Sequence, residues 1–138
     1  MKEIKVKADK EVIDEVYSFI EEELLSVEGC SRRDALKLHM VIDELFTNVA
    51  NYAYENGEGE VTVGFDEENS LVSISFIDSG TPYNPLDQES PDVTLSAKER
   101  KIGGLGVFMV KNTVDDISYE RKDGKNIVTV YKKVGGQL

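Results

Sequence analysis

The sequence predicts an α+β sandwich, and three observations carry that prediction. Residues 60–66 and 71–77 alternate apolar and polar around a polar turn, which makes a hairpin. A second strand pair, 116–121 and 126–133, flanks Asp123-Gly124. Two long runs of helical periodicity, about 10–27 and 32–54, stand grouped apart from the hairpins. A doubly wound parallel sheet would alternate strand and helix throughout, and this chain does not.

Residues 2–7 read as a short strand with Ile4 and Val6 on one face. Asp9 is placed to cap the next helix. Along that helix Val12, Ile13, Val16, Phe19, Ile20 and Leu24 recur at helical spacing. Glu28 to Ser31 break it. Ser31, with Asp34 three residues on, resembles a capping box and starts a second helix from about Arg32 to Tyr54. Asn56-Gly57-Glu58-Gly59 ends this helix. Val61, Val63 and Phe65 share one face of the first hairpin strand, and Val72, Ile74 and Phe76 one face of the second. Residues 82–101 hold all three prolines and many polar residues, and read as a long, mobile loop. Gly103-Gly104-Leu105-Gly106 leads into a helix beginning Val107-Phe108-Met109-Val110.

The chain has 138 residues, which suits a single domain over 1–138 that buries a core without disulfides. No apolar run approaches the roughly 20 residues of a membrane helix. The N-terminus alternates charged and apolar residues and lacks the apolar block of a signal peptide, so a cytoplasmic location is expected. One cysteine, Cys30, excludes an internal disulfide and a Cys-rich zinc site. Cys30 reads as unreactive, and the lone His39 does not make a zinc site or a catalytic triad. A net charge of −11 repels nucleic acid on average, so no nucleic-acid partner is expected.

Three short constellations stand out. On the helix at 32–54, Leu38, Val41, Ile42, Leu45, Val49 and Ala53 form an apolar face, while Glu44, Asn48 and Asn51 stack on an adjoining stripe. Tyr52 borders both. Asn can offer its carbonyl oxygen to magnesium, and Glu can accept a proton from water or a hydroxyl. A solvated polar stripe explains the same pattern. Asp78-Ser79-Gly80-Thr81-Pro82 follows a buried-looking strand. A carboxylate there can accept a hydrogen bond from the amino group of adenine, and Gly80 lets backbone approach the base. A plain turn is the alternative. The glycines at 103, 104 and 106 open a helix whose free N–H groups attract phosphate. Lys98, Arg100 and Lys101 lie just upstream, a local basic exception that also fits a solvated turn. This is neither a Walker A loop nor a Rossmann fingerprint.

In order and spacing, Glu44-x-x-x-Asn48, Asp78-x-Gly80 and Gly103-Gly104-x-Gly106 resemble the N, G1 and G2 boxes of the GHKL ATPase superfamily. Within it, the stretches 44–54, 78–85 and 103–110 are similar to the anti-sigma-factor serine/threonine kinases, and the likeness spans roughly residues 3–133. The resemblance implies a two-layer α/β sandwich, with a mixed, mainly antiparallel sheet and helices on one face (the Bergerat fold). It implies ATP or ADP and Mg2+ as cofactors, Glu44 as the catalytic residue and Asn48 as the magnesium ligand. Asp78 would recognise adenine with Gly80 beside it, and Gly104 and Gly106 would approach the phosphates. Asn51, Tyr52, Pro82, Lys101, Gly103, Leu105, Val107 and Asn126 complete the implied nucleotide site. Two positions depart from the family pattern. Tyr52 stands where relatives often carry His, and Asn126 where many carry Thr.

The resemblance further implies a kinase that phosphorylates a serine on a small anti-anti-sigma (STAS-type) partner and sequesters a sigma factor, often as a homodimer. A non-catalytic, ATP-dependent binding module is the alternative, because binding and catalytic residues largely coincide. The ATP-binding half of a histidine kinase is a third reading. It is disfavoured because the chain starts almost at once with a strand, and because His39 lies five residues before Glu44 in the same helix.

Overall fold

The computed structural model describes residues 1–54, 58–87 and 104–135. Strand β1 (Lys2–Lys7) leads through a short 3-10 turn into helix α1 (Ile13–Leu25), then helix α2 (Arg32–Tyr52). The hairpin β2 (Glu60–Glu68) and β3 (Leu71–Asp78) follows. After a 3-10 turn at Pro85–Asp87 come helix α3 (Gly104–Thr113) and the hairpin β4 (Asp116–Lys122) and β5 (Lys125–Lys133).

Local chemistry explains the boundaries. Asp9 accepts a hydrogen bond from the Glu11 N–H, but it caps the 3-10 turn at Lys10–Val12, and α1 itself starts without a side-chain cap. At α2 the capping box forms in both directions: Ser31 accepts from the Asp34 N–H, and Asp34 accepts from the Ser31 N–H. Both hairpins turn on two residues with positive φ, Asn69 and Ser70 in one and Asp123 and Gly124 in the other. Such turns match the right-handed twist of the strands they join. The first hairpin is therefore longer than its alternation indicates, because Glu67 and Glu68 remain in register with Val72 and Leu71.

The five strands form one sheet in the order β1-β2-β3-β5-β4, antiparallel at every pairing. The α+β sandwich is the architecture expected, with no parallel pair in its sheet. One face of the sheet is apolar. Val61, Val63, Val72, Ile74, Phe76 and Val130 are almost fully buried there. Against them pack Val16 and Ile20 of α1 and Leu38, Val41, Ile42 and Leu45 of α2. Phe46 joins this core at 0% exposure, so the apolar face of α2 is broader than the six positions legible in its periodicity. No helix among the described residues is long and apolar enough to cross a membrane.

The strand order sets where a site can form. Asp78 ends β3 in register with Asn126 at the start of β5, and Asn126 is in register with Arg121 of β4. This corner of the sheet lies against the C-terminal end of α2, where the Thr81 N–H donates to the Ala53 carbonyl at 2.7 Å.

Candidate nucleotide site

Helix α2 presents Glu44 and Asn48 one turn apart, with Leu45 and Val49 beside them turned into the core. Asn48 is only 7% exposed, so the polar stripe is not simply a solvated face. Its Nδ2 is buried without a hydrogen-bond partner among the described residues. Buried polar atoms are rarely left so, and such an orphan calls for an explanation. Burial holds the Glu44 carboxyl above its usual range, and the charge of Asp43 adds to this, while the nearby Asn48 amide works the other way.

Helix α3 meets this stripe from the other side. A Cβ added to Gly106 would run into the carboxyl group of Glu44 and force that side chain to move. Gly104 and Leu105 open the same helix. Val107, one residue further on, is 1% exposed, so its side chain belongs to the interior. Lys101 and Gly103, with Lys98, Arg100 and most of the loop expected at 82–101, lie outside the described residues.

The second end of the site is built around Asp78, 6% exposed. Its Oδ1 accepts from the Gly80 N–H at 2.9 Å and from Asn126 Nδ2 at 2.9 Å. Gly80 is pressed onto the backbone of Ala53, where an added Cβ would overlap the carbonyl group. Arg121 Nη1 donates to the Gly80 carbonyl at 2.8 Å, and the Ser79 N–H donates to the Tyr54 hydroxyl at 3.0 Å. The turn after β3 is thus fastened to β4 and to the residues that follow α2.

A pocket opens between Asn48 of α2 and Asp78. Its lining is mainly apolar, from Leu45, Val49, Ala53, Phe76, Pro85 and Val128, with Asn48, Asp78, Tyr83 and Asn126 supplying polar groups. A mainly apolar pocket with a few convergent polar atoms suits a nucleobase. Of the residues expected from sequence, Asn48, Asp78 and Asn126 meet at this pocket, while Glu44, one turn before Asn48 on α2, meets Gly106 outside its lining. Asn51 is exposed on α2, and Pro82 is exposed beside the turn; neither lines the pocket. Tyr52 is 42% exposed, and its ring lies 5.7 Å from that of Tyr83. Burial raises the Tyr83 phenol above its ordinary pKa, and Tyr52 and the Glu44 charge add to the rise. Tyr83 and Pro85 were missed as lining residues, although both belong to the Asp-x-Gly-x-Pro-aromatic-x-Pro run.

His39 lies elsewhere, stacked on Tyr17 with ring centroids 3.7 Å apart. Burial, and then the charge of Asp34, push the Cys30 thiol up, which keeps it from forming the reactive thiolate.

Residues 6–132 match the histidine kinase-like ATPase domain. The chain belongs to that family. Among curated relatives it is 27% identical over 101 residues to the serine/threonine-protein kinase BtrW of Bordetella bronchiseptica, covering 72% of this chain and 71% of that one. It is 27% identical over 96 residues to the serine-protein kinase RsbW of Listeria monocytogenes, covering 66% and 61%. It is 26% identical over 94 residues to the anti-sigma F factor of Clostridium acetobutylicum, covering 68% and 66%. The alignments thus span about two thirds of these relatives. Among solved structures, the RsbU and RsbW domains of Rv1364c from Mycobacterium tuberculosis superpose with a TM-score of 0.66 at 16% identity, over 100% of this chain and 34% of that one. The catalytic domain of histidine kinase ThkA gives 0.55 at 17% identity, over 97% and 98%. At such identities these structures establish the fold: a histidine kinase-like ATPase domain.

Proposed function

We propose that this histidine kinase-like domain is an ATP-dependent protein serine/threonine kinase of the anti-sigma-factor type. It phosphorylates a serine or threonine on a small anti-anti-sigma (STAS-type) partner, sequesters a sigma factor, and works in the cytoplasm. The observation that carries the reading is the packing of Glu44 against Gly106 at the start of α3, with Asn48, one turn along α2, sharing a pocket with Asp78. The names of the curated relatives, serine-protein kinases and an anti-sigma factor, support it.

The residues present fit ATP and Mg2+. Asn48 Nδ2 is buried without a well-formed hydrogen bond, close to the half-buried carboxyl group of Glu44. Turned about its last bond, the amide offers Oδ1, the oxygen a hard cation takes. The glycine at 106 lets the Glu44 carboxyl group lie directly against the first turn of α3, where free N–H groups favour an anion. Asn48 would hold the metal. The N–H groups of Gly104, Leu105, Gly106 and Val107, with Lys101 and Gly103 just before them, would hold the phosphates. Asp78, with Gly80 beside it, would take the adenine amino group. Asn51, Tyr52 and Pro82 would flank the opening.

Magnesium ATP supplies the transferable phosphoryl group, and such transfer depends chiefly on positioning and charge neutralisation. Glu44 contributes a carboxylate oxygen that receives the proton of the incoming serine hydroxyl. Its raised pKa makes it a better base than an exposed glutamate. The apolar walls at Leu45, Val49 and Phe76 exclude water from the base end.

The test is transfer of label from γ-labelled ATP to a serine-bearing anti-anti-sigma-like protein. Wild-type protein should label it, and Glu44→Ala should lose transfer while still binding ATP. Full transfer by Glu44→Ala would remove the base assignment. Tight ATP binding with no transfer by the wild type would leave a non-catalytic binding module.

A further inference from the structure

The pairing of β3 with β5 sets Asp78 beside Asn126, and Asn126 uses every hydrogen bond it can make. Its Nδ2 donates to Asp78 Oδ1 at 2.9 Å and to the Thr81 carbonyl at 2.8 Å. Its Oδ1 accepts from the Tyr119 hydroxyl at 2.6 Å and from the Tyr83 N–H at 3.2 Å. A side-chain amide has two N–H donors and two lone pairs, so all four are filled. The orientation of the amide is settled by chemistry: the Tyr83 N–H can only donate and the Thr81 carbonyl can only accept, so a flipped amide would oppose both. Asn126 is 2% exposed. It has neither surface nor bonding capacity left for a ligand, although it lies in the pocket wall.

The same bonds leave Asp78 in a defined state. Oδ1 receives two N–H groups, from Gly80 and Asn126. Oδ2 has no hydrogen-bond partner among the described residues, and Asp78 lines the pocket. A carboxylate with one oxygen saturated and its rotation stopped presents a single acceptor in a fixed direction. Such an acceptor rewards a donor on the base, such as an exocyclic amine, and penalises a carbonyl at that position.

We infer that Asn126 is a positioning residue for nucleobase selection: it acts through Asp78, whose free oxygen it aims, and does not touch the nucleotide. This replaces the direct cofactor contact expected for Asn126 from sequence, and it rests on the proposal that Asp78 reads adenine. Tyr119 holds Asn126 in turn.

The experiment measures dissociation constants for ATP and ITP, which carries a carbonyl in place of the adenine amine, by titration calorimetry on the full chain. Wild type should prefer ATP by about tenfold or more, the difference expected from a buried hydrogen-bonding group left unpaired. Asp78→Asn should abolish the preference, and Asn126→Ala should remove most of it. The double variant should discriminate no less than Asp78→Asn alone, because the second change acts only through Asp78. A mutational effect of Asn126→Ala on the ATP/ITP ratio that persists undiminished in the Asp78→Asn background would overturn the inference in favour of direct contact. Loss of preference in Asp78→Asn but not in Asn126→Ala would overturn it while sparing the Asp78 reading. An equal ATP/ITP ratio in wild type and Asp78→Asn would overturn both. Should Asn126→Ala fail to fold, Tyr119→Phe, which deletes only one bond to Oδ1, carries the test. It is expected to lower the preference about two- to fivefold, and an unchanged ratio counts against the inference.

Discussion

Gly106 faces the carboxylate of Glu44 so closely that a single methyl group on Gly106 would overlap the carboxyl carbon and both of its oxygens. One residue belongs to the first turn of α3 and the other to the middle of α2, 62 positions earlier in the chain. The contact joins the proposed base to the helix start proposed to hold phosphate.

Gly106→Ala should therefore separate activity from stability. The group it strikes is the far end of a flexible side chain, which can move aside, so the melting temperature should change little. The displaced carboxylate loses its alignment, and misplacement by about 1 Å can cost about 100-fold in rate. Transfer to the partner is expected to fall by about 10- to 100-fold. Thermal melts and transfer rates on the same preparation check both halves. An active, stable Gly106→Ala variant would show that the close approach has no catalytic purpose.

Glu44 should also cost stability. Its folded pKa is raised above the ordinary 4.5, so folding favours the protonated form. The stabilising contribution is complete below the unfolded pKa and is lost as pH rises through the folded value. At pH 7 the ionised group is held at a disadvantage. Glu44→Gln should then be more stable than wild type at neutral pH, by less than about 1 kcal/mol because the group is partly solvated. The difference should shrink as pH falls through the raised folded value and vanish below the unfolded one, about 4.3. Urea midpoints at several pH values read this directly, and a neutral-pH loss of stability would contradict it.

Asp34 carries the opposite sign. Burial works against its charge, but N–H bonds from Gly135 and Ser31, the Ser31 side chain and the charge of Lys132 outweigh it, and its pKa is lowered. Asp34 thereby ties the start of α2 to the end of the chain's last strand region, through the Gly135 N–H at 3.0 Å. Its contribution is present above the unfolded value of about 3.9 and fades as pH falls through the folded one. Asp34→Asn should destabilise at pH 7, with the penalty diminishing below about pH 4. Ser31→Ala should cost about 1 kcal/mol through the lost cap. Denaturant midpoints check both.

Much of the fold was legible because its signals are local. Alternation at Val61, Val63 and Phe65, the Ser31–Asp34 box and the Asp123-Gly124 turn each depend on residues a few positions apart. The candidate site was legible differently. Glu44, Asn48, Asp78 and Gly106 were found by their spacing, but Tyr83 and Pro85 were not identified as walls, and Asn51 and Pro82 face outward. A polar residue's spacing along a helix or turn shows which neighbours share its face, and does not show how deeply that face is packed.

The sequence by itself determined the α+β class and the order of elements, and it singled out the three short segments proposed to hold the site, since backbone propensity and periodicity are written over a few residues. Only the tertiary structure decided that Asn48 is buried with an unpaired amide, that Gly106 closes on Glu44, and that Asn126 spends all its bonds on Asp78 and its neighbours. Those facts come from strand register and helix packing between residues dozens of positions apart. Burial and hydrogen-bond saturation are properties of such contacts, and they have no local signature.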